Sequence, residues 1–515
     1  MTTRKDRKPF EFQGPIVDRR AFLRTAAMAG AALSVGPSML HGSVAETMNY
    51  GNPDILETDA SAAIIRSICL MCHSACGIQG KVVDGEVLKI DGNPYHPNSF
   101  LPAERLDYTT DVQEADLVRG KCCVKAQAAM QTVYDPYRLK APLKRVGPRG
   151  SGQWQEISWK QALDEIADIL RPYYAPETPI DEGFPEFGNL PNKVVFTAGR
   201  IEHGQKEFTD RIWKSGFGTA NYRHDHTSIC EISHHVGLDL VTGYKKHHFK
   251  PDILNSDYII WFGTRPLEAA FPMQTLSGMV AQFPDNGGTM VTVDPVFSNT
   301  AARSHHWLAI KPGTDAALAL GMARWMIDNE RYDREFLTNT AAQVNGEKCF
   351  SDATFLVNTD TGEFIRDGAG DNMVWKDGSA WPAGSAPGFK GELEPGPLTV
   401  AGQSARTAWS LMVERVREKT LDEYAEICGI DASKIAEIAG GFSAAGKRGV
   451  ANPYRGSVQH TNGAYNVFAI SLLNVLNGNF DWKGGNSIGG SHWHEMGGKV
   501  AGQVSLKSVP GGNSP

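Results

Sequence analysis

The sequence predicts an α/β fold in which a small cysteine-bearing domain precedes α/β domains built on parallel sheets. Three observations carry this prediction. From residue 193 onward, short apolar runs ending in Gly or Asp alternate with segments of helical period. Hydrophobic residues at 41% and charged residues at 21% describe a folded chain and exclude disordered or collagen-like structure. The 54 Gly and 28 Pro among 515 residues favour a loop-rich architecture over a helical bundle. At roughly 100–200 residues per domain, this length implies several domains. With 51 Lys+Arg against 58 Asp+Glu the net charge is −7, and no basic run offers a nucleic-acid surface.

Residues 1–45 read as an export signal. Arg4, Lys5, Arg7 and Lys8 make a charged start. Asp18-Arg19-Arg20-Ala21-Phe22-Leu23-Arg24 then leads into an Ala-rich, weakly apolar stretch, and Ser43-Val44-Ala45 supplies small residues for cleavage. Paired Arg before Phe-Leu is the pattern of the twin-arginine signal, which exports proteins already folded. The expectation is a periplasmic protein that receives its cofactor before export. No stretch approaches 18 continuous apolar residues, so no direct membrane span is expected.

Cysteine spacing argues against a disulfide framework. Cys69, Cys72 and Cys76 are too close to pair well with one another, and Cys122 and Cys123 are adjacent. A Cys-x2-Cys-x3-Cys run with a later Cys converges four soft thiolates on one centre, which suits a [4Fe–4S] cluster or Zn²⁺.

Farther along, Lys193–Ala198, Asp257–Phe262 and Thr289–Val293 read as strands. They end at Gly199-Arg200, at Gly263-Thr264-Arg265-Pro266 and at Asp294-Pro295. In open α/β sheets, ligands sit beyond the carboxyl ends of the strands. There Gly lets backbone N–H groups approach a pyrophosphate, and a carboxylate accepts from ribose hydroxyls or a guanine edge. Trp307–Gly321 contains Pro312-Gly313-Thr314-Asp315, where Asp315 also reads as the N-cap of a helix over 316–327. No Gly-x-Gly-x-x-Gly loop points to a nicotinamide. Residues 350–405 read as a hairpin-rich insertion, and 408–419 and 421–427 as amphipathic helices.

The cysteine run followed by Val82–Pro94, and the phrases Gly120-Lys121-Cys122-Cys123-Val124-Lys125 and Trp307–Gly321, resemble the molybdopterin oxidoreductase (dimethyl sulfoxide reductase) family over about residues 62–495. The resemblance implies an iron–sulfur domain at 62–125. It also implies a molybdopterin oxidoreductase domain at 126–192 and 425–515, with an inserted α/β dinucleotide-binding domain at 193–424. The implied cofactors are a [4Fe–4S] cluster and molybdenum (or tungsten) bis(molybdopterin guanine dinucleotide). The family's Gly-x-x-Cys-x-Lys phrase selects Cys123 as fourth cluster ligand after Cys69, Cys72 and Cys76, and puts Lys125 between cluster and pterin. The 46 residues between Cys76 and Cys123 make about 95–119 an insertion.

By the same resemblance, Asp315 faces guanine, with Gly313 and Thr314 in that loop. Gly263, Thr264 and Arg265 lie near phosphate or pterin, Asp294 near the nucleotide, and the His460 phrase beside the pterin. Cys230 is the implied molybdenum ligand. Arg223, His224, His226, His234 and His235 lie around it, with Arg200 and His203 arriving from the preceding strand end. Among these, His226 and Arg200 are the expected catalytic partners, because a small oxyanion needs neutralising charge and proton delivery. Cys349 and Cys428 are expected to be buried. Relatives carry a further carboxyl-terminal barrel-like domain; this chain stops before it and reads as a fragment or as one of two chains.

Within the family, the phrase around Cys230 resembles the branch holding tetrathionate, thiosulfate, polysulfide and arsenate reductases. Leu143–Trp154 points to tetrathionate, reduced to thiosulfate, as the sulfur oxyanion. The implied partners are an electron-transfer subunit with iron–sulfur centres and a quinol-oxidising membrane subunit. The alternatives are a thiosulfate, polysulfide or arsenate reductase of the same branch, or a non-catalytic electron-relay subunit of the same fold.

Overall fold

The computed structural model describes residues 63–72, 74–99, 107, 109–110, 120–199, 201, 205–223, 230–243, 249–269, 273–340, 350–386 and 388–488. The expected leader at 1–45, most of 95–119, Arg200, His203, His224, His226 and Cys349 lie outside the described residues. No helix among the described residues is long and apolar enough to cross a membrane. The chain divides into two compact units, the first comprising residues up to 99 and 106–135, the second 100–105 and 136 onward.

The first unit is built on an antiparallel meander of β1 (Ala63–Ile68), β2 (Gly77–Val83) and β3 (Glu86–Gly92). Asp84 and Gly85 both take positive φ, 50° and 83°, as a two-residue hairpin turn requires. Gly92 pairs with Gly120 at an isolated bridge, and a Cβ on Gly92 would stand 2.5 Å from the Gly120 carbonyl carbon. That close approach brings Gly120–Cys123 to the end of β3. The Cys69 amide donates to the Cys76 carbonyl at 2.8 Å, closing the cysteine loop upon itself.

The second unit centres on a parallel four-stranded sheet. Its strands are β4 (Tyr258–Phe262), β5 (Thr289–Val293), β6 (His306–Leu308) and β7 (Gly449–Pro453), in the spatial order β6-β5-β4-β7. Alternation along β4 sends Tyr258, Ile260 and Phe262 to one face and Ile259 and Trp261 to the other. The first face packs under α2 (Asp315–Asp328), α4 (Gly463–Leu476) and the helix Ala432–Ala444. The second packs against the helix Met273–Gln282. Ile259 and Ile260 are fully buried, each contributing roughly 1.5–3 kcal/mol of apolar burial. Two further helices, α1 (Ile232–Thr242) and α3 (Arg455–Val458), flank this core.

The hairpin-rich reading of 350–405 corresponds to a three-stranded antiparallel sheet and a separate hairpin, Met373–Lys376 with Ser379–Pro382. One strand expectation holds only in its last part. Lys193–Ala198 is not a strand of the central sheet: Leu190–Lys193 forms a tight 3-10 turn, and only Phe196–Thr197 pairs, with Tyr222–Arg223. Pro191 withholds an N–H at that turn, and the Asn192 side chain instead accepts from the Ala220 amide at 2.8 Å.

Candidate functional site

Along the chain the sheet grows outward from β4 through β5 to β6, and β7 is then added on the other side of β4. The strand order therefore reverses between β4 and β7, and the loops leaving those two strands part there. This is where open α/β sheets bind ligands. A cavity of about 530 Å³ lies at that point, lined by Gly263–Arg265 after β4, Val293–Pro295 after β5, Pro312, Gly313 and Asp315 after β6, and Tyr454–Gly456 and His460 after β7. Its size falls within the roughly 300–1,000 Å³ typical of small-ligand sites.

Gly263 makes the crevice possible. Its φ is +57°, and a Cβ there would stand 2.3 Å from the Ser457 amide nitrogen. The Gly456 amide donates to the Gly263 carbonyl at 2.7 Å, so the two loops cross backbone to backbone.

The charged groups around the cavity are tightly held. Arg265 clasps Asp294 with two parallel bonds, Nε to Oδ2 at 2.8 Å and Nη2 to Oδ1 at 2.9 Å; the Val296 amide also donates to Oδ1, at 2.8 Å. Asp315 is buried, which pushes its carboxyl above the usual range, while His460 pulls the other way. The N-cap reading of Asp315 is corrected: Thr314 occupies that position and Asp315 is the first residue of α2. Thr314 makes no side-chain cap, because its hydroxyl donates to the Lys311 carbonyl at 2.6 Å instead. Thr314 also lies outside the cavity lining, unlike Gly263, Thr264, Arg265, Asp294, Gly313, Asp315 and His460, which the fold brings together.

Cys230 is buried just before α1. The Gln459 side chain donates from Nε2 to its carbonyl at 3.5 Å. A cluster of ionisable groups surrounds its neighbour Glu231. The Tyr454 hydroxyl donates to Glu231 Oε2 at 3.1 Å, Arg455 Nη2 lies 3.9 Å from the same oxygen, and His235 Nε2 is 3.7 Å from Oε1. Lys250 Nζ sits 4.4 Å above the Tyr454 ring, and the His234 ring meets that ring edge-on at 5.3 Å. Burial pushes the Lys250 amine down to about 8, against the opposing pull of Glu231. Burial also works against charge on Arg455, but Tyr454, Cys230 and Glu231 outweigh it and keep the guanidinium protonated. Arg455 lines the cavity and also reaches Glu231, the residue that follows Cys230. Sequence reasoning placed the phrase from Tyr454 to Gly463 beside the pterin without giving Tyr454 and Arg455 roles of their own, and it assigned none to Glu231 or Lys250. The phrase Tyr454-Arg455-Gly456 after an apolar run was the available signal for the first two, whereas Lys250 carried none.

In the first unit, the described cysteines stand as thiols rather than disulfides. Burial raises the Cys69 thiol, with further upward pushes from Cys123 and Cys72, so these three are electrostatic neighbours. Cys72 Sγ donates to Ser74 Oγ at 3.3 Å, and Cys76 is buried. Cys123 holds the N-cap position of the short helix Val124–Gln127, on which Lys125 is exposed. Cys122 lies in the same neighbourhood: its thiol approaches the Ile90 carbonyl at 3.9 Å and is pushed up to about 11, first by burial, then by Asp91, with smaller pushes from Cys123 and Cys69. Among the described residues no three His, Cys, Asp or Glu side chains converge as a single metal ion requires. Reduced, neighbouring thiols are the soft donor set that an iron–sulfur cluster takes. The cavity likewise fits a nucleotide-bearing group, with Arg265, Arg455, His460 and Asp315 as its polar lining.

Residues 138–514 match the molybdopterin oxidoreductase family and residues 62–135 its Fe4S4 domain. The chain is 31% identical to a selenate reductase chain of Mesobacillus selenatarsenatis, over 94% of this chain and 53% of that one. It is 29% identical to a tetrathionate reductase chain of Salmonella typhimurium, over 88% of this chain and 49% of the relative. The chain thus spans about half the length of these curated relatives. The acetylene hydratase of Pelobacter acetylenicus shares the fold, with a TM-score of 0.50 and 21% identity over 82% of this chain and 44% of that structure. The chain belongs to the molybdopterin oxidoreductase family, and its two matched domains indicate a molybdenum-bound pterin and a [4Fe–4S] cluster as cofactors.

Proposed function

We propose that this chain forms part of the catalytic subunit of a periplasmic respiratory reductase acting on a small oxyanion, with tetrathionate as first substrate and thiosulfate as product. The observation that carries this reading is the pair of cationic side chains Arg455 and Lys250: Arg455 lines the cavity and reaches Glu231, the residue after Cys230, and Lys250 lies over the Tyr454 ring beside it. A doubly charged anion entering a poorly hydrated site needs fixed positive charge in place of its water, and these side chains supply it. Gly263, Arg265, Gly313, Asp315 and His460 would hold the dinucleotide end of the pterin. Cys230 would bind the metal through its thiolate, and Cys69, Cys72, Cys76 and Cys123 the cluster. When bound, the pterin-held metal supplies two-electron chemistry, and splitting the central S–S bond of tetrathionate takes two electrons and yields two thiosulfates.

Electrons would enter through an iron–sulfur subunit from a quinol-oxidising membrane subunit, and the twin-arginine pattern at 18–24 supports export in the folded state. Selenate is the second reading, supported by the 31% identity to a selenate reductase chain. The test is reduction of tetrathionate, thiosulfate, selenate and arsenate, with a reduced dye as donor, by protein purified from an anaerobic host, with Cys230→Ala alongside. Tetrathionate turnover lost in Cys230→Ala while its iron content stays unchanged is the expected result. Turnover of none of the four oxyanions by metal-loaded protein would refute the reading.

A further inference from the structure

The loop bearing Asp315 begins a helix that does not cap itself. The first four N–H groups of an α-helix have no partner within the helix, and the N-cap side chain ordinarily accepts from one of them. In α2 the N-cap residue is Thr314, and its hydroxyl is turned to Lys311. The Ala316 amide is bonded instead by Asn466, a fully buried residue of α4, whose Oδ1 accepts it at 3.1 Å. The same side chain donates from Nδ2 to the Ser457 carbonyl at 2.8 Å, and its Oδ1 also accepts from Asn462 Nδ2 at 3.2 Å. Asn462 Nδ2 in turn reaches the Gly313 carbonyl at 3.0 Å.

These bonds join the two walls of the cavity. Gly313 and Asp315 stand on one side, and Tyr454, Arg455 and Gly456, carried into α3 and Ser457, stand on the other. We infer that Asn466 is a positioning residue for the nucleotide end of the cofactor: its carboxamide caps α2 from a neighbouring helix and fixes the separation of the Asp315 wall from the Arg455 wall. The inference rests on the reading of this cavity as the nucleotide site. Asn466 itself lines no part of the cavity, so it acts through the backbone of the residues that do. Removing the carboxamide leaves the Ala316 N–H and the buried Ser457 carbonyl without their partner. The walls then relax away from the geometry that lets Asp315 and Arg455 act on one ligand.

Asn474 provides an internal control. It lies on the same helix, is equally buried, and exchanges two hydrogen bonds with Ala451, at 2.9 and 2.7 Å, below the cavity. Calorimetric titration of the cofactor-free full chain with GMP, together with GMP released by acid from cofactor-loaded protein, compares wild type, Asn466→Leu and Asn474→Leu, with Asn466→Ala in case the leucine variant does not fold. Thermal midpoints are recorded for each. The expected result is a GMP affinity reduced about tenfold or more in the Asn466 variants, with less released GMP, while Asn474→Leu keeps wild-type affinity despite a comparable loss of thermal midpoint. Unchanged affinity in folded Asn466 variants, or equal weakening in Asn474→Leu, overturns the positioning role and leaves the cavity reading standing. Folded wild type that binds no GMP and releases none overturns the cavity reading and this inference with it.

Discussion

Lys250→Met tests the charge cluster beside Cys230. The lysine side chain as a whole is intermediate in exposure, and its amine, over the Tyr454 ring, is the enclosed end. A fall from 10.5 to about 8 corresponds to about 3 kcal/mol against the charged form at neutral pH. Loss of the cation–π contact with Tyr454 offsets about 0.5–2 kcal/mol of that. Methionine, of similar length and without charge, is therefore expected to stabilise the cofactor-free protein by about 1–3 kcal/mol at pH 7. The sign of the pH dependence follows from the depressed amine. In the wild type, stability from this group is fully present above the unfolded value near 10.5 and is lost as pH falls through about 8. Between pH 7 and 9 the wild type should regain about 1 kcal/mol relative to the variant. Urea unfolding followed by tryptophan fluorescence at both pH values measures the difference. A gap that does not change with pH would show that the amine is not depressed, and the cluster would then be an ordinary solvated one.

Asp315→Asn should weaken GMP binding about 10- to 100-fold, the cost of exchanging a charged acceptor for a neutral one. Because burial raises this carboxyl, its ionisation costs stability as pH rises through the folded value, so the asparagine variant should unfold at higher temperature than wild type at pH 7 and without advantage in acid. The raised carboxyl should also make wild-type GMP affinity fall with decreasing pH before ordinary carboxylates titrate; affinity flat across that range would remove Asp315 from recognition. Cys123→Ser should lose the cluster's iron and visible absorption while Cys122→Ser keeps both, and the reverse pattern would exchange the two cysteines. Gly263→Ala, which sets a Cβ 2.3 Å from the Ser457 nitrogen at positive φ, should cost about 2–4 kcal/mol and lower the thermal midpoint by several degrees.

Much of the cavity was legible because its residues end apolar strands. Gly263 and Asp294 each follow a short apolar strand buried on both faces, and the 313–315 loop follows the strand His306–Leu308; such strand ends face one edge of the sheet whatever the strand order. What was not legible depends on long-range partners. Nothing near Asp294 announces that Arg265, 29 positions earlier, takes both its oxygens. Lys250, in the run Lys245-Lys246-His247-His248-Phe249-Lys250, reads as one of several solvated cations, yet Tyr454 from the far end of the chain packs under its amine. The expected strand at 193–198 is cut to Phe196–Thr197, because a 3-10 turn over Leu190–Lys193 precedes it, which periodicity alone underweights.

Topology and sequence pattern select the same crevice independently. Strand order is invisible in any single phrase, because β7 joins β4 from residues nearly two hundred positions later. The reversal between β4 and β7 nevertheless opens the sheet where the phrases ending in Gly263 and in Gly456 arrive. The crossing of those two backbones leaves no room for a side chain on either, so both glycines follow from the switch point as well as from ligand approach. A Cβ at either position would wedge β4 from β7 before it met any ligand. The glycines are therefore needed by the cofactor-free fold itself, and Gly263→Ala should lose stability in protein that has never held a nucleotide.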